Sequence, residues 1–206
     1  MSTKTRKVIT RSGARVRRLF YSQKSHAHVA CESHLEFRAC TIAEFIRSIA
    51  VLAAHQQQVT IGVSEDQFDA YPDLCFSMSD GTSKIVEVKS DSELKDDRVI
   101  SRLTAIQHHF ESIGTMYEVW SETFIDQEPR RSTLEELLYY RKPITHLSYL
   151  AKPEYHELKR RHSTVRFIEA ADYLGGCLSV RKCLANGLLS ADYTLPLTDL
   201  TPVTVH

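Results

Sequence analysis

Between Asp73 and Lys89 the sequence alternates, turns and alternates again, and this segment limits the available folds more than any other. Over Asp73–Met78, Leu74, Phe76 and Met78 fall on one face and Asp73, Cys75 and Ser77 on the other, which is the two-residue period of a strand. Ser79-Asp80-Gly81-Thr82 reads as a turn, because glycine takes positive φ without a Cβ clash. Lys84–Lys89 is strongly β-prone and returns as the antiparallel partner. A hairpin with this apolar content needs other elements packed on it.

The flanking sequence supplies them. From Ser33 onward Leu35, Ala39, Ile42, Ile46, Ile49 and Ala53 recur every three or four residues, which predicts one helix across the whole stretch. Ser33-x-x-Glu36 has the form of a capping box at its start, with Glu36 reaching back to the Ser33 amide. Val59, Ile61 and Val63 alternate as a strand, Val99, Leu103, Ile106 and Phe110 form a second helical stripe, and Met116–Ser121 is a further strand. Two short strands, Leu19–Tyr21 and His28–Cys31, flank Ser22-Gln23-Lys24-Ser25. A helix with strands on each side predicts an α/β fold, a mixed sheet flanked by helices.

A short helix over Leu134–Arg141 runs into Lys142-Pro143, which places a domain boundary near 142. Beyond it, helices around Arg166–Leu174 and Ser179–Ala185, a turn at Asn186-Gly187 and an extended end suit a small C-terminal winged-helix-like domain. The chain of 206 residues thus divides into an arm (1–17), a main domain (18–142) and a smaller one (143–206).

Net charge is zero, yet it is unevenly spread. Residues 1–30 carry eight Lys and Arg and no Asp or Glu, so the N-terminal arm has the charge to follow a phosphate backbone. Arg15, Arg17, Arg18 and Lys24 are the candidate DNA contacts, and a solubilising tail is the competing reading. Five cysteines, odd in number and never in a CxxC pair, argue against a disulfide framework or a zinc site and for reduced thiols in a cytoplasmic protein. No apolar run approaches the ~20 residues of a membrane span, so no membrane partner is expected. The basic N-terminus lacks the apolar core of a secretory signal.

Chemistry concentrates on Tyr71-Pro72-Asp73 and, across the hairpin, Glu87-Val88-Lys89. Residues two apart on a strand share a face, so Glu87 and Lys89 project together, and the antiparallel partner brings Asp73 beside them. Two close carboxylates repel, and a hard divalent cation such as Mg²⁺ relieves this by accepting oxygens from both. The Lys89 ammonium can hold or help deprotonate a water and offset charge developing on a phosphate. This is the PD-(D/E)xK pattern of phosphodiester-cleaving nucleases. The competing reading is a turn-capping Asp73 with a solvent-facing Glu87/Lys89 pair on an edge strand.

A broader likeness accompanies the motif. Arg18–Phe37, reading RLFYSQKSHAHVACESHLEF, resembles the N-terminal signature of the TnsA family, the endonuclease subunit of heteromeric cut-and-paste transposons. The family's Ser-x-Lys hairpin element falls on Ser22 and Lys24, and the last glutamate of its E-S-x-x-E segment falls on Glu36. Its Gln-Pro element is matched only at Gln57-Gln58, without the proline. Trp120-Ser121-Glu122 resembles its threonine-glutamate position, and Lys182–Leu197 its C-terminal end.

The resemblance implies a restriction-endonuclease-like domain with Glu36, Asp73, Glu87 and Lys89 as catalytic residues. It implies metal held by Glu36, Asp73, Glu87 and the Val88 backbone carbonyl, as two Mg²⁺ ions with Mn²⁺ as a substitute. It further implies double-stranded DNA at transposon ends as substrate, nicked on the 5′ strands beside a TnsB-like DDE transposase, and a C-terminal domain that contacts a TnsC-like AAA+ ATPase. Two alternatives stand beside this. A stand-alone PD-(D/E)xK nuclease of phage or restriction type would cut generic DNA unaided. A catalytically idle fold serving as a DNA-binding assembly subunit would be expected to have lost one of Asp73, Glu87 and Lys89. His108, His109 and Trp120 are read as surface or core residues, and Lys159-Arg160-Arg161 as a solvated face.

Overall fold

The computed structural model describes residues 18–54, 58–63, 66–141 and 148–206, and these fall into two compact units that meet at Asp126/Gln127. The first begins with the expected hairpin, β1 (Arg18–Ser22) against β2 (Ala27–Cys31). Phe20 and Val29 face each other across it and are buried, while Leu19 and Tyr21 are exposed. Helix α1 (His34–Phe45) follows, its Ser33 hydroxyl accepting from the Glu36 amide as an N-cap.

The helix expected to reach Ala53 stops at Phe45. Ile46 is extended (φ −78°, ψ 111°), and Ile49–Ala54 forms strand β3. The sequence period misled for a physical reason. Of the stripe's last two residues Ile49 is buried but Ala53 is exposed; a bulge between Ile49 and Val51 puts Leu52, outside the stripe, on the buried face instead. Lys24 Nζ donates to the Ile46 and Ile49 carbonyls where the chain changes from helix to strand, the latter at 2.6 Å.

Strand β4 (Val59–Val63) pairs with β5 (Asp66–Ala70), a strand that its composition, Asp-Gln-Phe-Asp-Ala, conceals. Strands β6 (Leu74–Met78) and β7 (Ser83–Lys89) form the expected hairpin, with Gly81 at φ +86° in its turn. Helix α2 (Asp97–Ser112) then carries the chain to β8 (Met116–Ser121), which lies parallel to β7. The sheet order is β3-β6-β7-β8, mixed in direction and flanked by helices. One core gathers Ile61, Ile85, Ile106, Phe110 and Tyr117 beneath α2. On the neighbouring strands Phe76 packs on Trp120, which in turn meets Phe124 of α3 (Glu122–Ile125). Because β7 lies inside the sheet, Ile85, Val86, Glu87 and Val88 are all buried.

The second unit holds α4 (Arg130–Tyr139), α5 (Pro153–Arg161), β9 (Thr164–Arg166), α6 (Phe167–Leu174), α7 (Cys177–Ala185), β10 (Leu189–Ser190) and β11 (Pro202–Val205). Its antiparallel sheet runs β10-β11-β9. Gly175 ends α6 in the left-handed region (φ +81°), which lets α7 turn back on it. The unit starts earlier than the boundary expected from Pro143, because α4 packs on α7. No helix among the described residues is long and apolar enough to cross a membrane.

Candidate active site

The end of the β6–β7 ladder sets the site. One residue before β6, Asp73 replaces backbone pairing with its side chain: Oδ2 accepts the Val88 amide at 2.7 Å. Glu87 continues the face of Ile85, beside the apolar core under α2, and is only 7% exposed. Its Oε1 accepts Lys89 Nζ at 2.7 Å, whereas Oε2 is buried with no hydrogen-bond partner. Lys89 Nζ also reaches the Val88 carbonyl at 3.2 Å and lies 3.9 Å from Asp73 Oδ2. Glu87 and Lys89 are therefore not a solvent-facing pair on an edge strand.

Glu36 enters from the first turn of α1. Its Oε2 accepts the Glu32 amide at 2.7 Å and its Oε1 the Ser33 hydroxyl at 2.9 Å, so the back-bond lands one residue before the amide expected for a capping box. Burial raises the Glu36 pKa, and the Asp73 charge raises it further. Burial likewise raises Glu87, against the pull of Lys89, and Glu36 adds to the rise. For Lys89 burial acts downward, but Asp73 and Glu87 outweigh it and hold the ammonium above the usual lysine range. Glu36 is thus burdened by Asp73 and Glu87 by Glu36, and Lys89, with Arg102 as a weaker influence, offsets the charge on Glu87.

All four residues line one cleft of about 540 Å³, together with Val88, Glu32 and Glu93. Five carboxylates face a single ammonium there, a field that repels a phosphodiester unless cations enter with it. An all-oxygen donor set suits a hard cation such as Mg²⁺, and the partnerless Glu87 Oε2 is an open ligand position. The residues present fit a divalent ion on these grounds. The Val88 carbonyl, expected as a further ligand, accepts Lys89 Nζ with one of its two lone pairs. Among the described residues no three His, Cys, Asp or Glu side chains are already gathered as a metal-binding group; Asp73 and Glu36 are held by main-chain amides.

Of the candidate DNA contacts, the two described ones, Arg18 and Lys24, do not line this cleft. Arg15 and Arg17 lie outside the described residues. Arg18 opens β1 with its guanidinium 5.6 Å from the Phe37 ring centre. Lys24 is turned inward onto the Ile46 and Ile49 carbonyls, and beside it Glu44, 2% exposed, accepts the Ser22 hydroxyl and the Gln23 amide. The Ser-x-Lys element has a structural task here: it ties the hairpin to the end of α1. Trp120 is core, and Ser121 caps α3 by accepting the Phe124 amide. Arg160 and Arg161 both pair with Glu157 on an exposed face.

Sequence reasoning missed Arg102 of α2, which with Tyr71 lines a second lobe of about 480 Å³ against Glu87 and Lys89. The available signal was its place beside the Val99–Leu103–Ile106 stripe, which the core claims for itself. No model of a known protein family matches the chain, and no curated protein matches it.

Proposed function

We propose that this chain is a divalent-metal-dependent DNA endonuclease of TnsA type. In this reading it nicks the 5′ strands at transposon ends in concert with a DDE transposase. The first unit is the restriction-endonuclease-like nuclease. The second is a winged-helix-like domain that docks an AAA+ ATPase regulator. One observation carries the reading: the buried Glu87 carboxylate keeps a partnerless oxygen in a cleft where five carboxylates meet one lysine.

Asp73 and Glu87, with Glu36 beside them, hold the metal, Mg²⁺ or Mn²⁺, at one site or two. When bound, the metal supplies Lewis acidity and neutralises phosphate charge. Lys89, kept positive by Glu87 and Asp73, stands ready as a fixed cation for charge that develops on the phosphoryl oxygens. Its hydrogen bond to Glu87 holds both side chains in place before substrate arrives. Asp73 sets the strand end by gripping the Val88 amide, so the Glu87–Lys89 pair cannot slide relative to it.

The test is nicking of transposon-end DNA by the full chain with Mg²⁺, with and without the transposase. Alanine at Asp73, Glu87 or Lys89 should abolish cutting while DNA association survives. Near-wild-type cutting by Glu87→Ala would reject the reading.

A further inference from the structure

The cleft continues past the carboxylates. Tyr71, Glu87 and Lys89 line the second lobe as well as the acidic one, so the two lobes meet at the reactive pair. Their chemistry differs. The second lobe has an apolar wall from β5 and α2, made by Ala70, Val99, Leu103 and Ile106, with Arg102 beside it. An apolar wall next to one guanidinium matches a nucleotide unit, whose base faces and sugar C–H surface are apolar and whose phosphate is an anion.

Arg102 is prepared for such a contact. It is exposed, its guanidinium lies 4.4 Å from the Phe68 ring centre, and Nη2 donates to the Asp69 main-chain carbonyl at 2.5 Å. These two contacts fix the plane of the fork and leave other N–H donors over. No carboxylate among the described residues is hydrogen-bonded to it, although its charge acts on Glu87 across the lobe, whereas Lys89, the lobe's other cation, is bonded directly to Glu87. The rival account makes Arg102 a staple between α2 and β5. A ring face and a carbonyl are contacts that a neutral side chain with an N–H donor can also make; the charge adds something else, a cation facing Glu87 where the two lobes meet.

We infer that this second lobe seats the nucleotide next to the phosphodiester being cut, with Arg102 gripping that nucleotide's phosphate and Ala70, Leu103 and Ile106 backing its sugar and base. The inference rests on the nuclease reading. It gives that reading a grip on substrate that is independent of the metal, and one that orients the reacting phosphate by fixing its neighbour.

The experiment compares the full-length wild type with Arg102→Gln and Arg102→Lys. Binding to a fluorescent DNA duplex is followed by anisotropy in Ca²⁺ over a series of salt concentrations. Glutamine keeps an N–H donor and removes the charge, and lysine keeps the charge and removes the fork; the melting temperature of each variant is read beside its binding. Arg102→Gln should weaken binding by roughly 10-fold or more, as expected for a charge-assisted hydrogen bond. It should also flatten the dependence of log K on log salt by about 0.9, one phosphate's share. Arg102→Lys should keep the slope and lose part of the affinity. A glutamine variant that fails to fold, or that melts early with an unchanged slope, makes Arg102 a staple and overturns the inference. Wild-type cutting alongside a glutamine variant of unaltered affinity and slope overturns the inference alone. A wild type that neither binds duplex DNA nor cuts it overturns the nuclease reading and this inference with it.

Discussion

Replacing Glu87 with glutamine should reverse the order of stability between wild type and variant according to whether divalent metal is present. Without metal, the fold holds the Glu87 carboxylate in its charged form at a penalty, since burial raises its pKa against the pull of Lys89. A carboxylate raised in the folded state contributes stability that is fully present below the unfolded value of 4.5 and is lost as pH rises through the folded value. At neutral pH the neutral amide escapes that loss, so Glu87→Gln should melt higher than wild type in EDTA. The difference should fade as the pH falls below 4.5, where both side chains are neutral. Both proteins retain a buried partnerless atom at the second position, but only in wild type does it belong to an anion. Metal changes the order. An ion at about 100 times its Kd adds about 2.7 kcal/mol to the state that binds it. For a unit that ends at Asp126 each kcal/mol moves Tm by roughly 4 °C, so Mg²⁺ should raise the wild-type melting temperature by roughly 10 °C. The glutamine variant should scarcely respond. Calorimetry in EDTA and in Mg²⁺, following the transition of the first unit, measures both halves. An equal Mg²⁺ response in the two proteins would refute the assignment of Glu87 as a metal ligand. A lower melting temperature for the variant in EDTA at pH 7 would refute the electrostatic argument.

Three further outcomes are expected. Glu36→Gln should keep the melting temperature close to wild type, because its amide oxygen can still accept from Glu32 while its NH2 donates to the Ser33 hydroxyl, yet remove most cleavage; Ser33→Ala should cost about 0.5–2 kcal/mol and leave the folded fraction active. Lys24→Met, which frees the Ile46 and Ile49 carbonyls, should destabilise the fold by about 1.5–3 kcal/mol in chemical denaturation and leave the salt slope of DNA binding unchanged. A chain ending at Asp126 should keep the cooperative transition of the first unit but fail to join a transposase–ATPase assembly in size-exclusion chromatography.

What could be read from the sequence was decided by how local each cause is. The β6–β7 hairpin needs only its own alternation and one glycine, and both its strands and its turn stand as the pattern predicts. The helical stripe carries on into β3 through Ile49 and Ala53, but Ala53 is exposed and Leu52 is buried, because a bulge shifts the strand's register, and a bulge is a property of pairing with β6, not of the strand's own residues. Strand β5 has Asp, Gln and Asp among its five residues and exists because Phe68 and Ala70 pack into the core under α2. The second unit begins before the proline that marked the expected boundary, because α4 packs on α7, and that contact is equally invisible in the local sequence.

The site divides along the same line. Strand period places Glu87 and Lys89 on one face, but it does not reveal that β7 is an inner strand, and the burial of Glu87 follows from that position. Lys24 makes the converse point. A charge count sees a cation in an acid-free segment, while the fold sees two carbonyls exposed where α1 gives way to β3, and turns the ammonium inward. Glu36 belongs to both descriptions at once. The amide and hydroxyl that make it a cap also hold its carboxylate still in the cleft that Asp73 and Glu87 line. A capping residue that bonds one amide earlier than a capping box requires leaves the Ser33 amide out of its bond and takes up the Ser33 hydroxyl. The helix start therefore supplies an acid whose position is fixed by the backbone before any ligand arrives, which is what a preorganised carboxylate site asks of its scaffold.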